Sequence, residues 1–170
     1  MTEKELIIKA KSGDADAFCQ LYTAYKKKLF NYAYYRLGNT QDAEDAVSEC
    51  ILSAYEQIGN LKSEKAFSVW IFRILYCCCT DLIKNQITQR HTEDIDDLRS
   101  IASDDHEKYI NASELKNALN KLKDDEKSIV LLSVIAGFKS AEISKVSGLT
   151  AGSVRSKLKR SLDKMRKELI

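Results

Sequence analysis

Proline is absent from all 170 residues, and glycine occurs only six times. With so few helix breakers the chain is expected to be all-α, joined by short connections and without strands. The five cysteines, Cys19, Cys50, Cys77, Cys78 and Cys79, are odd in number and include no CxxC pair, so a zinc or thiol-redox motif is not expected. Consecutive helical residues point about 100° apart, so at most two of the three adjacent cysteines can face one metal ion. They read as small, semi-buried apolar residues with reduced thiols. No uninterrupted apolar run approaches the roughly 20 residues of a membrane span, and the opening MTEKELIIKAKSGD carries no signal-peptide core. The expectation is a cytoplasmic protein with no membrane insertion.

Apolar residues make up 44% of the chain and charged residues 31%, which is enough hydrophobic material for compact cores. The net charge of +2 conceals a segregation. Arg155, Lys157, Lys159, Arg160, Lys164, Arg166 and Lys167 crowd the last twenty residues, opposed only by Asp163 and Glu168. That tail is a basic patch.

Thr2-Glu3-Lys4-Glu5 is a capping-box pattern. It predicts a short helix through Leu6, Ile7 and Ala10 that ends at Gly13. A second helix, from Asp14 or Asp16 to near Gly38, carries Phe18, Leu21, Tyr22, Tyr25, Leu29, Tyr32 and Ala33 at steps of three and four. Asn39 or Thr40 can cap a third helix with Asp42, Glu44 and Asp45 in its first turn, where acids suit the helix dipole. Its apolar line is Ala43, Val47, Cys50, Ile51, Ala54 and Ile58, broken by Gly59-Asn60. After the polar stretch LKSEKA, a fourth helix places Phe67, Ile71, Ile74, Cys78 and Leu82 on one face, with Trp70 beside it. These helices predict a first domain over residues 1–85.

Residues 86–111 gather Glu93, Asp94, Asp96, Asp97, Asp104, Asp105 and Glu107 with few large apolar side chains, the composition of an acidic, flexible linker. Periodicity returns at Leu115, Leu119 and Leu122, and again in DEKSIVLLSVIAGF after the cap candidates Asp124 and Asp125. The helix SAEISKVS, then Gly148, then a last helix starting after Thr150 complete a second domain over 112–170. This end has the anatomy of a helix-turn-helix: Ala141, Ile143 and Val146 pack one helix, Gly148 permits a left-handed turn, and Leu149 plugs the core. Val154, Leu158, Leu162, Met165 and Leu169 form the buried stripe of the last helix. Ser153, Arg155, Ser156, Lys157, Lys159 and Arg160 lie largely off it, on a face that fits the DNA major groove. An ordinary helix pair with a solvated basic face is the competing reading.

EKSIVLLSVIAGFKSAEISKVSGLTAGSVRSKLKRSLDKMRKEL is similar to domain 4 of the extracytoplasmic-function (ECF) group of the sigma-70 family, the promoter-recognition subunits of bacterial RNA polymerase. LYTAYKKKLFNYAYYRLGNTQDAEDAVSECILSAYEQI and FSVWIFRILYCCCTDLIKN resemble its domain 2. The order and separation of the two stretches make the match specific.

The resemblance implies roles. Thr150, Ser153, Arg155, Ser156, Lys157, Lys159 and Arg160 would meet the minus-35 element. Lys157 stands where arginine is common, which forgoes a bidentate fork on guanine. The DAED-V-x-E stretch implies that Asp42, Asp45, Val47, Glu49 and Leu52 dock on the clamp coiled coil of the polymerase largest subunit. First-turn acids that merely favour the helix dipole compete with that role. A metal site at Asp42, Asp45 and Glu49 is disfavoured, since no histidine lies nearby. The loop before Phe67, Trp70 and Phe72 corresponds to the part that melts the minus-10 element, implying Asn60, Lys62, Ser63, Lys65, Trp70, Arg73 and Lys84. Phe67 and Trp70, at helical spacing, also fit core positions. The implied partners are core RNA polymerase, through its clamp coiled coil and flap, promoter DNA and an anti-sigma protein. The resemblance implies no enzymatic activity, cofactor or metal. Two rivals remain: a polymerase-independent helix-turn-helix regulator, and a sigma-like decoy.

Overall fold

The structure, a computed structural model, describes residues 1–88 and 106–169. Most of the acidic stretch, residues 89–105, lies outside the described residues. Eight α-helices follow in order: α1 (Glu3–Lys11), α2 (Ala15–Leu37), α3 (Thr40–Gln57), α4 (Phe67–Thr88), α5 (His106–Asn120), α6 (Asp124–Val134), α7 (Ser140–Ser147) and α8 (Ala151–Leu169). Two 3-10 turns, Ile58–Asn60 and Glu64–Ala66, join α3 to α4. The described residues contain no strand, as the scarcity of breakers predicts, and form two helical domains. α4 and α5 both reach into the stretch expected to be linker.

Helix ends follow local chemistry. Thr2 Oγ1 accepts from the Glu5 N–H, Asp14 from Ala17 and Asn39 from Asp42, so each side chain satisfies an amide that the helix leaves orphaned. α2 stops at Gly38, where φ is 91°, a left-handed conformation that a side chain would disfavour. At α6 the expected caps are displaced by one residue. Lys123 is the N-cap and its N–H donates to the Glu126 carboxylate at 3.1 Å, which leaves Asp124 and Asp125 in the first turn.

α1 packs on α2, and α2, α3 and α4 pack mutually. α3 buries Ala43, Ala46, Val47, Cys50 and Ala54, small side chains that admit close approach of its neighbours. α4 is buried more widely than its expected face. Phe67, Ile71, Phe72, Leu75 and Cys79 are enclosed, whereas Ile74, Cys78 and Leu82 are only half-buried. α4 lies between its own domain and α7, which adds a second buried side. By length and composition the span Glu64–Ile87, with mean hydropathy 1.6, could cross a membrane. Its packing against α2, α3 and α7 supplies a different reason for that apolarity.

The two domains share a core. Phe72 of α4 sits edge-on to Tyr32 at 6.0 Å and to Phe138 at 5.4 Å between ring centroids. Arg36 of α2, its side chain 1% exposed, donates to both Asp124 oxygens, Tyr32 Oη, the Tyr76 carbonyl and Thr80 Oγ1. Tyr32 and Ser128 hydroxyls are 2.7 Å apart. A guanidinium taken out of water is tolerable only with its donors satisfied in this way.

Candidate nucleic-acid and polymerase interfaces

α7 and α8 are joined by Gly148-Leu149-Thr150. Gly148 takes φ 82°, and its N–H closes α7 onto the Ser144 carbonyl. Leu149 is half-buried against the core, and Thr150 Oγ1 accepts from the Ser153 N–H at 3.2 Å, capping α8. Ile143, Val146 and Val154 are fully buried, which fixes how α8 is rolled about its axis. Arg155, Ser156, Lys159 and Arg160 are exposed on the side away from Val154, as elimination predicts, and Thr150 is exposed beside them. Ser153 is half-buried.

Two expectations for α8 change. Lys157 is half-buried and its ammonium pairs with Asp125 of α6, so its charge is partly balanced inside the protein. That hydrogen bond holds the Asp125 carboxyl below its ordinary pKa. The buried stripe is Val154, Ser161 and Met165, with Leu158 half-buried beside it, while Leu162 and Leu169 are exposed. Ser161, a small side chain one position before Leu162, faces inward instead.

The loop between α3 and α4 is anchored at Ile58 and Leu61, both buried. Asn60, Lys62, Ser63 and Lys65 are exposed on it. Ser63 Oγ accepts from the Lys65 N–H at 3.3 Å and shapes the second turn. Trp70 is half-buried, its ring 5.8 Å from Phe67, so it is neither a core residue nor a free stacking platform. Phe72 is buried between the domains and offers nothing to a base. Arg73 reaches across to the end of α7, where Nη1 donates to the Lys145 and Val146 carbonyls at 2.8 and 3.1 Å. There it satisfies orphan carbonyls of a helix C-terminus. Lys84 is exposed near the far end of α4.

On α3, Asp45, Glu49 and Leu52 are exposed, and Leu52 stands 62% open to solvent. Asp42 is half-buried and accepts from Asn39 and Gln86 side chains. Val47 is 6% exposed and belongs to the core, as its place on the apolar line requires; the role carried over to it from the family does not fit that burial. Between α3 and α4 runs a groove of about 670 Å³ lined by Asp45 and Glu49 on one side and Trp70, Arg73, Cys77 and Asp81 on the other. Its acids and aromatic edge suit a partner that brings cations and apolar side chains together. Among the described residues no three His, Cys, Asp or Glu side chains gather as a metal ion would require.

The thiols differ with depth. Cys50 Sγ donates to the Ile71 carbonyl, and burial pushes its pKa up. Burial likewise raises Cys78 to about 11 and Cys79 to about 12, which keeps both protonated. Cys19 and Cys77 are exposed. Sequence reasoning missed the cross-domain set of Arg36, Tyr32, Asp124 and Ser128. The one signal is a cation among aromatics in YAYYRL, and it reads equally well as a helix-end charge.

The comparisons agree with this geometry. The model for sigma-70 region 2 matches residues 21–88, and that for sigma-70 region 4 matches residues 112–165. The ECF RNA polymerase sigma factor SigW of Bacillus subtilis is 28% identical over 99% of this chain and 97% of its own length. The solved structure of CnrH in complex with the cytosolic domain of CnrY superposes with TM-score 0.76 at 22% identity, covering 98% of this chain and 96% of the other. The sigma factor RpoE with the anti-sigma factor NepR, from Bartonella quintana, gives TM-score 0.76 at 19% identity over 89% and 96%. Region 2 falls on α2 to α4 with their connecting loop, and region 4 on α5 to α8 with the helix-turn-helix; the chain belongs to the ECF group of the sigma-70 family.

Proposed function

We propose that this chain directs core RNA polymerase to promoters and takes part in opening them. The observation that carries the reading is the roll of α8. Val154 and Met165 are buried, which leaves Arg155, Ser156, Lys159 and Arg160 outward on a helix that follows a tight turn. These residues, with Thr150, Ser153 and Lys157, meet the minus-35 element. Asn60, Lys62, Ser63, Lys65 and the edge of Trp70 take the opened minus-10 strand, with Lys84 drawing phosphate. Arg73 joins them only after giving up the end of α7. Asp45, Glu49 and Leu52, with Asp42 at the helix start, form the contact for the largest-subunit clamp coiled coil, and the second domain takes the flap.

CnrH and RpoE were solved with CnrY and with an anti-sigma factor, respectively. By that likeness an anti-sigma protein is proposed as a partner here too, and the cytoplasm as the place of action. Residues 1–85 and 112–170 are the working units, with 86–111 as the connection passing through the polymerase.

The test is a pull-down of core RNA polymerase with the purified chain, followed by run-off transcription from fragmented genomic DNA of the source organism. Binding with new, discrete transcripts is the expected outcome. Binding without transcripts would indicate a decoy. Tight duplex binding without any polymerase contact would indicate an independent regulator.

A further inference from the structure

α1 precedes the region 2 match, which begins at residue 21, and none of its residues enters the site described above. Ile7 and Ala10 are buried at 1% and 5% exposure, so the helix is a fixed part of the first domain. It packs against both 3-10 turns of the α3–α4 loop. Lys11, at its last turn, brings Nζ to 3.7 Å from Glu64 Oε2. At its other end Glu3 Oε1 accepts from the Tyr25 hydroxyl at 3.0 Å. The Tyr25 ring meets Phe67 edge-on at 5.2 Å, and Phe67 in turn contacts Trp70. The loop and the first turn of α4 are therefore held from both ends of α1.

Charge makes this arrangement consequential. Between Leu61 and Phe67 the loop carries Lys62 and Lys65 and a single acid, Glu64. Lys62, Ser63 and Lys65 are exposed, while Glu64 is half-buried and turned toward Lys11. An acid left pointing outward among those lysines would repel a phosphate backbone. Resting on the reading of this loop as the minus-10 surface, we infer that α1 is its positioning element. In that arrangement Lys11 is the positioning residue that holds Glu64 away from the nucleic acid and leaves Lys62, Ser63 and Lys65 to face it.

The test uses the full chain in holoenzyme, on a promoter recovered by run-off transcription and carrying 2-aminopurine in the minus-10 non-template strand. Lys11→Glu places two carboxylates together. It should lower the equilibrium fraction of open complex about threefold to tenfold, the scale of losing an exposed ion pair and adding a like-charge contact. Core-polymerase affinity should stay unchanged, and the thermal midpoint should fall by no more than about 2 to 4 °C, the scale of a surface ion pair. The exchange Lys11→Glu with Glu64→Lys restores the pair and should bring opening back to within about twofold of wild type. Normal opening by the single variant overturns the inference, as does an exchange that fails to recover or a parallel loss of polymerase binding. A wild-type holoenzyme that gives no 2-aminopurine signal overturns the reading of the loop itself, and this inference with it.

Discussion

Arg36 of α2 lays its guanidinium along the Asp124 carboxylate of α6, with Nε and Nη2 at 3.2 and 3.0 Å from the two oxygens. The remaining donors go to Tyr32, Tyr76 and Thr80, so one side chain ties α2, α4 and α6 together. Arg36→Met strips a partner from four acceptor groups and should cost about 3 kcal/mol, within the range for breaking a buried charged contact. Asp124→Asn should cost less, since that carboxylate is 46% exposed and its ion pair is correspondingly screened. A double-mutant cycle in urea should return a coupling of about 1 to 3 kcal/mol. Additive losses would mean that Arg36 acts through α4 alone.

The exposed cations of α8 should not be equivalent. Arg155 faces solvent and can present a planar fork to a base edge, so Arg155→Ala should cost about 1 to 3 kcal/mol of promoter binding and alter sequence preference at one position. Lys157 already spends part of its charge on Asp125. Lys157→Ala should therefore weaken holoenzyme binding less, and nearly uniformly across sequences. Asp125→Asn should strengthen it and steepen its salt dependence, as an added free cation does. Binding isotherms at three salt concentrations, on wild-type and scrambled minus-35 fragments, separate these outcomes.

Local signals in the sequence locate most helix ends. Thr2, Asn39, Gly38 and Gly148 all do what their residue types dictate, because capping and left-handed turns are decided within four residues. What depends on distant partners is less legible. α4 reads as having one face, but α7 covers a second, and no local period announces that. The end of α2 presents Arg36 as a dipole-favouring cation, and nothing nearby reveals Asp124, 88 positions on. On α8 the apolar count favours Leu162 over Ser161, yet the small side chain is buried because α8 rolls toward it. Within the candidate site, periodicity placed Val47 in the core correctly; the family-derived role for it conflicts with that burial. Arg73 illustrates the opposite limit, since its exposure is legible but the α7 carbonyls that it caps are not.

Thiol accessibility gives a direct check on the α3–α4 packing. Cys19 and Cys77 are exposed, Cys78 is half-buried with its pKa pushed up to about 11, and Cys50 and Cys79 are enclosed. Iodoacetamide at neutral pH should modify Cys19 and Cys77 first, Cys78 at least about tenfold more slowly, and Cys50 and Cys79 only on unfolding, because the thiolate is the reacting species. Peptide mapping against time reads the order. Early labelling of Cys79 would mean that α4 does not hold its buried side against the rest of the protein.

Acid should loosen the attachment of α8 to α6. Asp125 and Glu126, adjacent at the start of α6, pair with Lys157 and Lys164 of α8. Asp125 is held below its ordinary 3.8 chiefly by the Lys157 hydrogen bond, and Glu126 below its ordinary 4.5 chiefly by the Lys123 backbone N–H, with Lys164 adding to it. Folded carboxyls with lowered pKa bind fewer protons than unfolded ones. Their stabilisation is therefore complete above those ordinary values and is lost as pH falls through the lowered ones. The thermal midpoint should decline through this acid window, and more shallowly in an Asp125→Asn, Glu126→Gln double variant. Salt then separates the two groups. Asp125 depends chiefly on a lysine contact open to screening, with the Glu126 N–H at 2.8 Å as a lesser donor, whereas the main restraint on Glu126 is a backbone donor that salt reaches poorly. In about 1 M sodium chloride the Asp125→Asn single variant should approach wild type more closely than Glu126→Gln does.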